Sequence, residues 1–255
     1  MNIAVLIKLV PDLVEELEID GSGTALDTTW LRLIINEVDE HALEQALLLK
    51  ERSGGAVTAL TLEGESAEDV LFAAAAKGAD RLIRLTGTAF EDAPSNHALA
   101  RLFARVLKGL EPDLVLTGVQ AHDDLAGALG PLVAEELGMP YVGYLSGVTL
   151  EDGNCRVNKE YPGGLVAEMK VTLPAVLGIQ ASEEPPRYLA ISRIRQAMKS
   201  ASVEDVEAPE PDATGVLDVA SMFTPEVGET ATMLAGPPDE VASQIVEVLT
   251  ERGVL

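Results

Sequence analysis

The residues best placed to do chemistry lie between Asp113 and Pro131, where an apolar run, Leu114 to Thr117, passes through Gly118 into Gln120, His122, Asp123, Asp124, Gly127 and Gly130. The pattern predicts a buried strand, a turn and a helix with apolar positions at Leu125, Leu129, Leu132 and Val133. A helix start after a strand offers unpaired N–H groups and a positive dipole end, so a nucleotide phosphate could sit there. The two aspartates oppose that use, because carboxylates repel phosphate. They have two other candidate roles: capping the helix, or joining His122 in holding a hard cation, for which one adjacent cluster supplies few well-directed ligands. An Asp123/Asp124 cleft used for hydrolysis and a free-standing adenine-nucleotide sensor stand as alternative functions.

Other chemistry-bearing residues are sparse. Gly-x-Gly-x-x-Gly, the P-loop pattern and Gly-x-Ser-x-Gly do not occur, and His41, His97 and His122 are far apart. Cys155 is the single cysteine, so no internal disulfide can form, and a reducing cytoplasmic setting is expected. Arg193, Arg195 and Lys199 form the densest basic cluster of an acidic chain, as a soluble helix face or a docking patch.

The elements that must carry these residues follow from composition and order. With 255 residues, 47% apolar and only 4% aromatic, the core is built from Leu, Val, Ile and Ala, which suits a parallel sheet covered by helices. A net charge of -24 argues against nucleic acid or an anionic membrane as partner, and no apolar run is long enough to insert into a bilayer. Met1 to Lys8 reads as a first strand rather than a signal peptide.

Aliphatic runs at Ile3 to Ile7, Val57 to Leu62, Arg81 to Leu85 and Leu114 to Thr117 alternate with amphipathic helices, which predicts a doubly wound, mostly parallel α/β sheet with helices on both faces. Asp20-Gly-Ser-Gly predicts a short exposed hairpin after Val14, Ser66 to Asp69 a capping box, Ser95 a cap, and Gly109 a helix end. Val142 to Leu150, Cys155 to Tyr161 and Leu165 to Val171 alternate as antiparallel strands added to the sheet, and Leu173 to Ile179 is a further strand. The expected division is a core over residues 1–199 and an arm over 200–255: an acidic, Pro- and Ala-rich linker over 200–215, then an amphipathic helix from Pro237.

Taken together, five stretches resemble the β subunit of electron transfer flavoproteins: Ile7 to Asp12, Ile35 to Ala46, Ala76 to Asp80, Pro112 to Ala121 and Pro186 to Tyr188, with the closing Glu-Arg-Gly-Val-Leu. The likeness runs in order over almost the whole chain. It implies a Rossmann-like, non-enzymatic subunit whose C-terminal arm wraps an α subunit that carries the redox-active FAD, with a flavin dehydrogenase as electron donor. It further implies a β-subunit AMP, replaced by a second FAD in electron-bifurcating members.

Onto this sequence the resemblance carries Lys8, Asn36, Asp39, Gln120, Asp123, Gly127 and Gly130 as nucleotide-site positions, and Ile191 with Arg193 as the dehydrogenase-docking loop. The chain departs from the family pattern at Leu125, Ala126 and Ala128, where contacts to phosphate or ribose are expected. Each lost hydrogen bond is worth on the order of 0.5 to 3 kcal/mol. The site is therefore expected to be degraded, with a second FAD disfavoured and two alternatives left: AMP held by backbone N–H groups with Lys8, Asn36 and Asp39, or an empty site.

Overall fold

The computed structural model describes residues 1–87, 95–124, 127–151, 153–208, 219–225, 228 and 231–255. It divides into two compact units, Met1–Ala220 and Ser221–Leu255.

The first unit is built on a nine-stranded sheet. Its strands are β1 (Asn2–Leu6), β4 (Ala56–Leu62), β5 (Arg81–Thr86), β6 (Leu114–Gly118), β7 (Tyr141–Glu151), β8 (Asn154–Tyr161), β9 (Leu165–Thr172), β10 (Ala175–Ile179) and β11 (Val203–Glu207). They lie in the order β11-β5-β4-β1-β6-β10-β7-β8-β9. Pairing is parallel from β11 to β7 and antiparallel for β7/β8 and β8/β9. The short pair β2 (Leu9–Pro11) and β3 (Leu33–Ile35) stands apart as a second, antiparallel sheet.

The helices are α1 (Glu37–Ser53), α2 (Ala67–Lys77), α3 (Asn96–Leu110), α4 (Leu129–Leu137), α5 (Ile191–Ser200) and, in the second unit, α6 (Pro238–Glu251). Strand β1 shows why helices cover both faces: Ile3, Val5 and Ile7 point into one core with Leu43 and Leu47 of α1 and Leu71 of α2, while Ala4 and Leu6 point into the other with Phe103 and Leu107 of α3 and Val133 of α4. Because successive residues of a strand face opposite ways, a run buried on both faces must be aliphatic throughout.

From β1 the chain moves outward to β4 and β5, then returns to β1's other side as β6. The strand order therefore reverses between β1 and β6. At such a switch point the loops diverge and leave a crevice beyond the carboxyl ends of the strands, where doubly wound proteins bind ligands. Lys8 follows β1 there, and Gln120 to Gly130 follow β6.

Several local expectations are corrected. The hairpin after Val14 reduces to one isolated bridge, Ile19 with Leu26, and the antiparallel pairing of this region goes to β2 and β3. Ser66 stands at the N-cap of α2 without a side-chain cap bond, whereas Ser95 caps α3 by accepting from Ala98 N–H at 3.3 Å. Helix α3 runs past Gly109 to Leu110 and ends at Glu111, at φ 47°. The stretch expected as linker over 200–215 contains β11, which lies parallel to β5. Its acidic residues are cross-strand partners: Arg81 binds Glu204 and Arg84 binds Asp205, each through a forked guanidinium contact.

In the second unit, α6 opens with Pro238 in its first turn, as expected from Pro237-Pro238-Asp239, and none of its residues is buried. No helix among the described residues is long and apolar enough to cross a membrane.

Candidate functional site

The switch-point crevice is bridged by one side chain. Asp39, in the first turn of α1, accepts from Lys8 N–H through Oδ2 at 2.8 Å and from Gly118 N–H through Oδ1 at 2.7 Å, so its carboxylate joins the ends of β1 and β6. Only glycine fits at 118: a Cβ there would run into Asp39 Oδ1 and come within 2.6 Å of Val38 Cγ2 and 2.9 Å of Asp39 N. Burial pushes the Asp39 carboxyl up to about 7, against the opposing pull of the Lys8 and Gly118 N–H groups. Asn36, the N-cap residue of α1, spends its side-chain amide on the carbonyl of Gln120 at 3.0 Å.

Above this bridge lies an ion cluster. Lys8 Nζ is 2.7 Å from Asp123 Oδ1 and 2.5 Å from Asp124 Oδ1, and Asp124 Oδ2 accepts from Ala121 N–H at 3.2 Å. The Asp124 side chain is only 6% exposed. Partial burial works against the Lys8 charge, but the hydrogen bonds and attraction of the two aspartates outweigh it, and the ammonium titrates above the ordinary lysine range. The aspartates therefore do not cap α4. That helix begins at Leu129 with Ala128 at its N-cap and no side-chain cap.

The remaining predicted positions divide between the crevice and its supports. Leu125 and Ala126 lie outside the described residues. Gly127 backs onto Gln120, whose Cβ would be 2.9 Å from a Cβ at 127. Gly130 is a packing position: a Cβ there would come within 2.8 Å of Tyr141 Cε2 and 2.9 Å of Thr117 Oγ1. Thr117 Oγ1 is buried and lacks a hydrogen-bond partner. His122 turns away from the aspartates and donates from Nε2 to the carbonyl of Pro11 at 2.8 Å, so the three residues do not converge on a cation. Among the described residues, no group of three or more His, Cys, Asp or Glu side chains could hold a metal ion.

Cys155 is buried in β8, which pushes its thiol up to about 11 and leaves it a core residue. Far from the crevice, Ile191 opens α5 with 65% of its surface exposed, and Arg193 lies on the same exposed first turn.

The donor set can be tested against a nucleotide phosphate. Lys8, the one cation of the cluster, is shared by two carboxylates, and Asp39 takes the backbone N–H groups that close the crevice. A phosphate here would meet one ammonium already shared by two carboxylates, beside the buried Asp39 carboxyl. At about 6 Å and an effective dielectric of about 20, each carboxylate charge left over opposes a phosphate charge by about 3 kcal/mol. These residues do not fit an AMP or FAD phosphate.

Sequence reasoning missed two features. The Asp39 bridge joins three elements that only the fold brings together. The second is Glu44, a carboxylate 3% exposed on α1 and bound by Arg187. Its signal was present in the sequence, as an acid between the core-facing residues Leu43 and Ala46-Leu47 of α1.

Sheet order and switch point define a doubly wound, mostly parallel, Rossmann-like α/β protein. The electron transfer flavoprotein domain matches residues 25–211. The electron transfer flavoprotein subunit beta of Bacillus subtilis is 31% identical over 254 residues, covering 98% of this chain and 97% of the relative. That of Clostridium acetobutylicum is 32% identical, with 98% of each chain covered. The caffeyl-CoA reductase-Etf complex subunit CarD of Acetobacterium woodii is 30% identical, with both chains covered in full. The chain belongs to the electron transfer flavoprotein β subunit family. Its place is that of an electron-transfer carrier subunit.

Proposed function

We propose that this chain pairs with an electron transfer flavoprotein α subunit, scaffolds the FAD that the α subunit holds, and docks a flavin dehydrogenase through Ile191 and Arg193. That FAD, when bound, supplies the redox chemistry. The residues of this chain position and recognise.

A partner surface supports the pairing. The face of β8 and β9 that is core at Cys155, Val157 and Val171 continues along the strands into Met169, Leu165 and Tyr161, which are 38%, 68% and 46% exposed. That face is apolar except at Lys159, whose ammonium donates to the Gly143 carbonyl at 2.7 Å, and an apolar face that runs from core to open surface is what a second chain would cover. The terminal amphipathic helix, with Ile245 and Val248 each 45% exposed, suits an arm laid on the α subunit.

The β-subunit nucleotide position is read here as holding neither AMP nor a second FAD. The observation that carries this reading is the capture of Lys8 Nζ by both Asp123 and Asp124, which removes the positive charge a phosphate needs. The test is release and chromatography of all nucleotides from the co-purified heterodimer. One FAD and no AMP per pair is expected. Stoichiometric AMP, or two FAD, would contradict the reading.

A further inference from the structure

The segment between β10 and α5 is fastened to α1 side chain by side chain. Ser182 N–H donates to His41 Nδ1 at 3.2 Å. Glu183 and Gln45 bond reciprocally, each at 3.2 Å, and Glu183 also binds Arg52 at 2.6 Å. The strongest tie is at Arg187. Its Nη2 donates to Glu44 Oε1 at 2.7 Å and its Nε to Oε2 at 3.0 Å, and its own backbone N–H donates to Oε2 at 3.0 Å. Nη1 reaches Glu51 at 2.7 Å and the Lys77 carbonyl at 3.4 Å, so one guanidinium touches both α1 and the C-terminal end of α2.

Beyond Arg187 the chain leaves the body of the protein. Tyr188 is 92% exposed and Ile191 65% exposed, until α5 settles on α2 and Ala197 becomes buried. Ile191 thus lies between the Arg187 tie, four residues before it, and α5, where Ile194 is half-buried and Ala197 buried; Leu189 between Arg187 and Ile191 is half-buried as well. Glu44 is almost wholly buried, so its charge is tolerable only while the guanidinium is in place. The planar fork fixes direction as well as position, which a lysine ammonium cannot do.

We propose that Arg187 is a positioning residue for electron-donor docking: its fork on Glu44 holds Ile191 at the height and angle at which a dehydrogenase meets it. This rests on the reading of Ile191 as the docking anchor. An anchor held in one geometry loses less freedom on binding than one that must be ordered first.

The test uses the FAD-loaded heterodimer and an acyl-CoA dehydrogenase, reduced by butyryl-CoA, that transfers electrons to the wild type. Arg187→Lys is expected to raise the KM for the heterodimer about tenfold, with kcat within about twofold. FAD content and the rate of reduction by dithionite should not change. Ile191→Ala is expected to raise the KM as well, and the double variant to match Ile191→Ala alone, because Arg187 acts through that residue. If Arg187→Lys fails to assemble, Glu44→Gln keeps an accepting oxygen, weakens the fork and gives the same comparison. A raised KM in Ile191→Ala beside an unchanged KM in the Arg187 or Glu44 variant would overturn the positioning role, as would a double variant whose losses multiply. An unchanged KM in Ile191→Ala would instead overturn the docking reading, and the positioning role with it.

Discussion

Asp39 Oδ1 accepts the Gly118 N–H at 2.7 Å in a space with no room for a side chain on residue 118. The contact closes the crevice between β1 and β6 and ties the first turn of α1 to both strand ends. Gly118→Ala is therefore expected to destabilise the protein by about 2 to 4 kcal/mol, since the obstruction includes the Asp39 backbone nitrogen and not merely a flexible tip. Urea unfolding of the two proteins side by side checks this. A loss below about 0.5 kcal/mol would mean that the bridge is looser than described.

The same carboxyl gives the fold a pH dependence. Burial raises the folded-state pKa of Asp39 to about 7, above the ordinary 3.8, so the folded protein holds this proton more tightly than the unfolded chain does. The stabilisation is then fully present below about pH 4 and is lost as pH rises toward and through about 7. Other carboxylates titrate over the same range, so the readout is a difference. Between pH 5 and 8, wild-type stability should fall relative to Asp39→Asn as pH increases, whereas parallel curves would show that Asp39 is ionised throughout.

Lys8 is the only cation in contact with Asp123 and Asp124 among the described residues. Lys8→Met should cost about 2 to 4 kcal/mol, because two carboxylates, one of them nearly buried, are left facing each other. Adding Asp124→Asn should restore part of that loss. A double variant no more stable than the single one would locate the effect in lost packing of the lysine stem rather than in charge.

The sheet was legible because its strands are short aliphatic runs buried on both faces, as Ile3 to Ile7 and Leu114 to Thr117 are, and because helices with an apolar side separate them. What local pattern could not disclose was competition from distant residues. Asp123 and Asp124 have the composition of a helix cap, yet Lys8, more than a hundred residues earlier, takes both. Glu204 and Asp205 have the composition of a linker, yet Arg81 and Arg84 on the neighbouring strand β5 recruit them into the edge strand β11. In neither case does local sequence reveal the distant partner that takes the charge. The candidate site was legible as a place, since Lys8, Asn36, Asp39, Gln120 and Asp123 do meet at the switch point. Their mutual hydrogen bonds were not, because these depend on the side-by-side arrangement of β1 and β6. Family resemblance carried the function further than any single motif did, through the order of weak matches along the chain.

Co-expression with an electron transfer flavoprotein α subunit from the same source, followed by light scattering and flavin absorbance on the purified complex, tests the central claim most directly. A one-to-one heterodimer holding one FAD is expected. A chain that purifies as a monomer in the presence of that α subunit, without flavin, would contradict it.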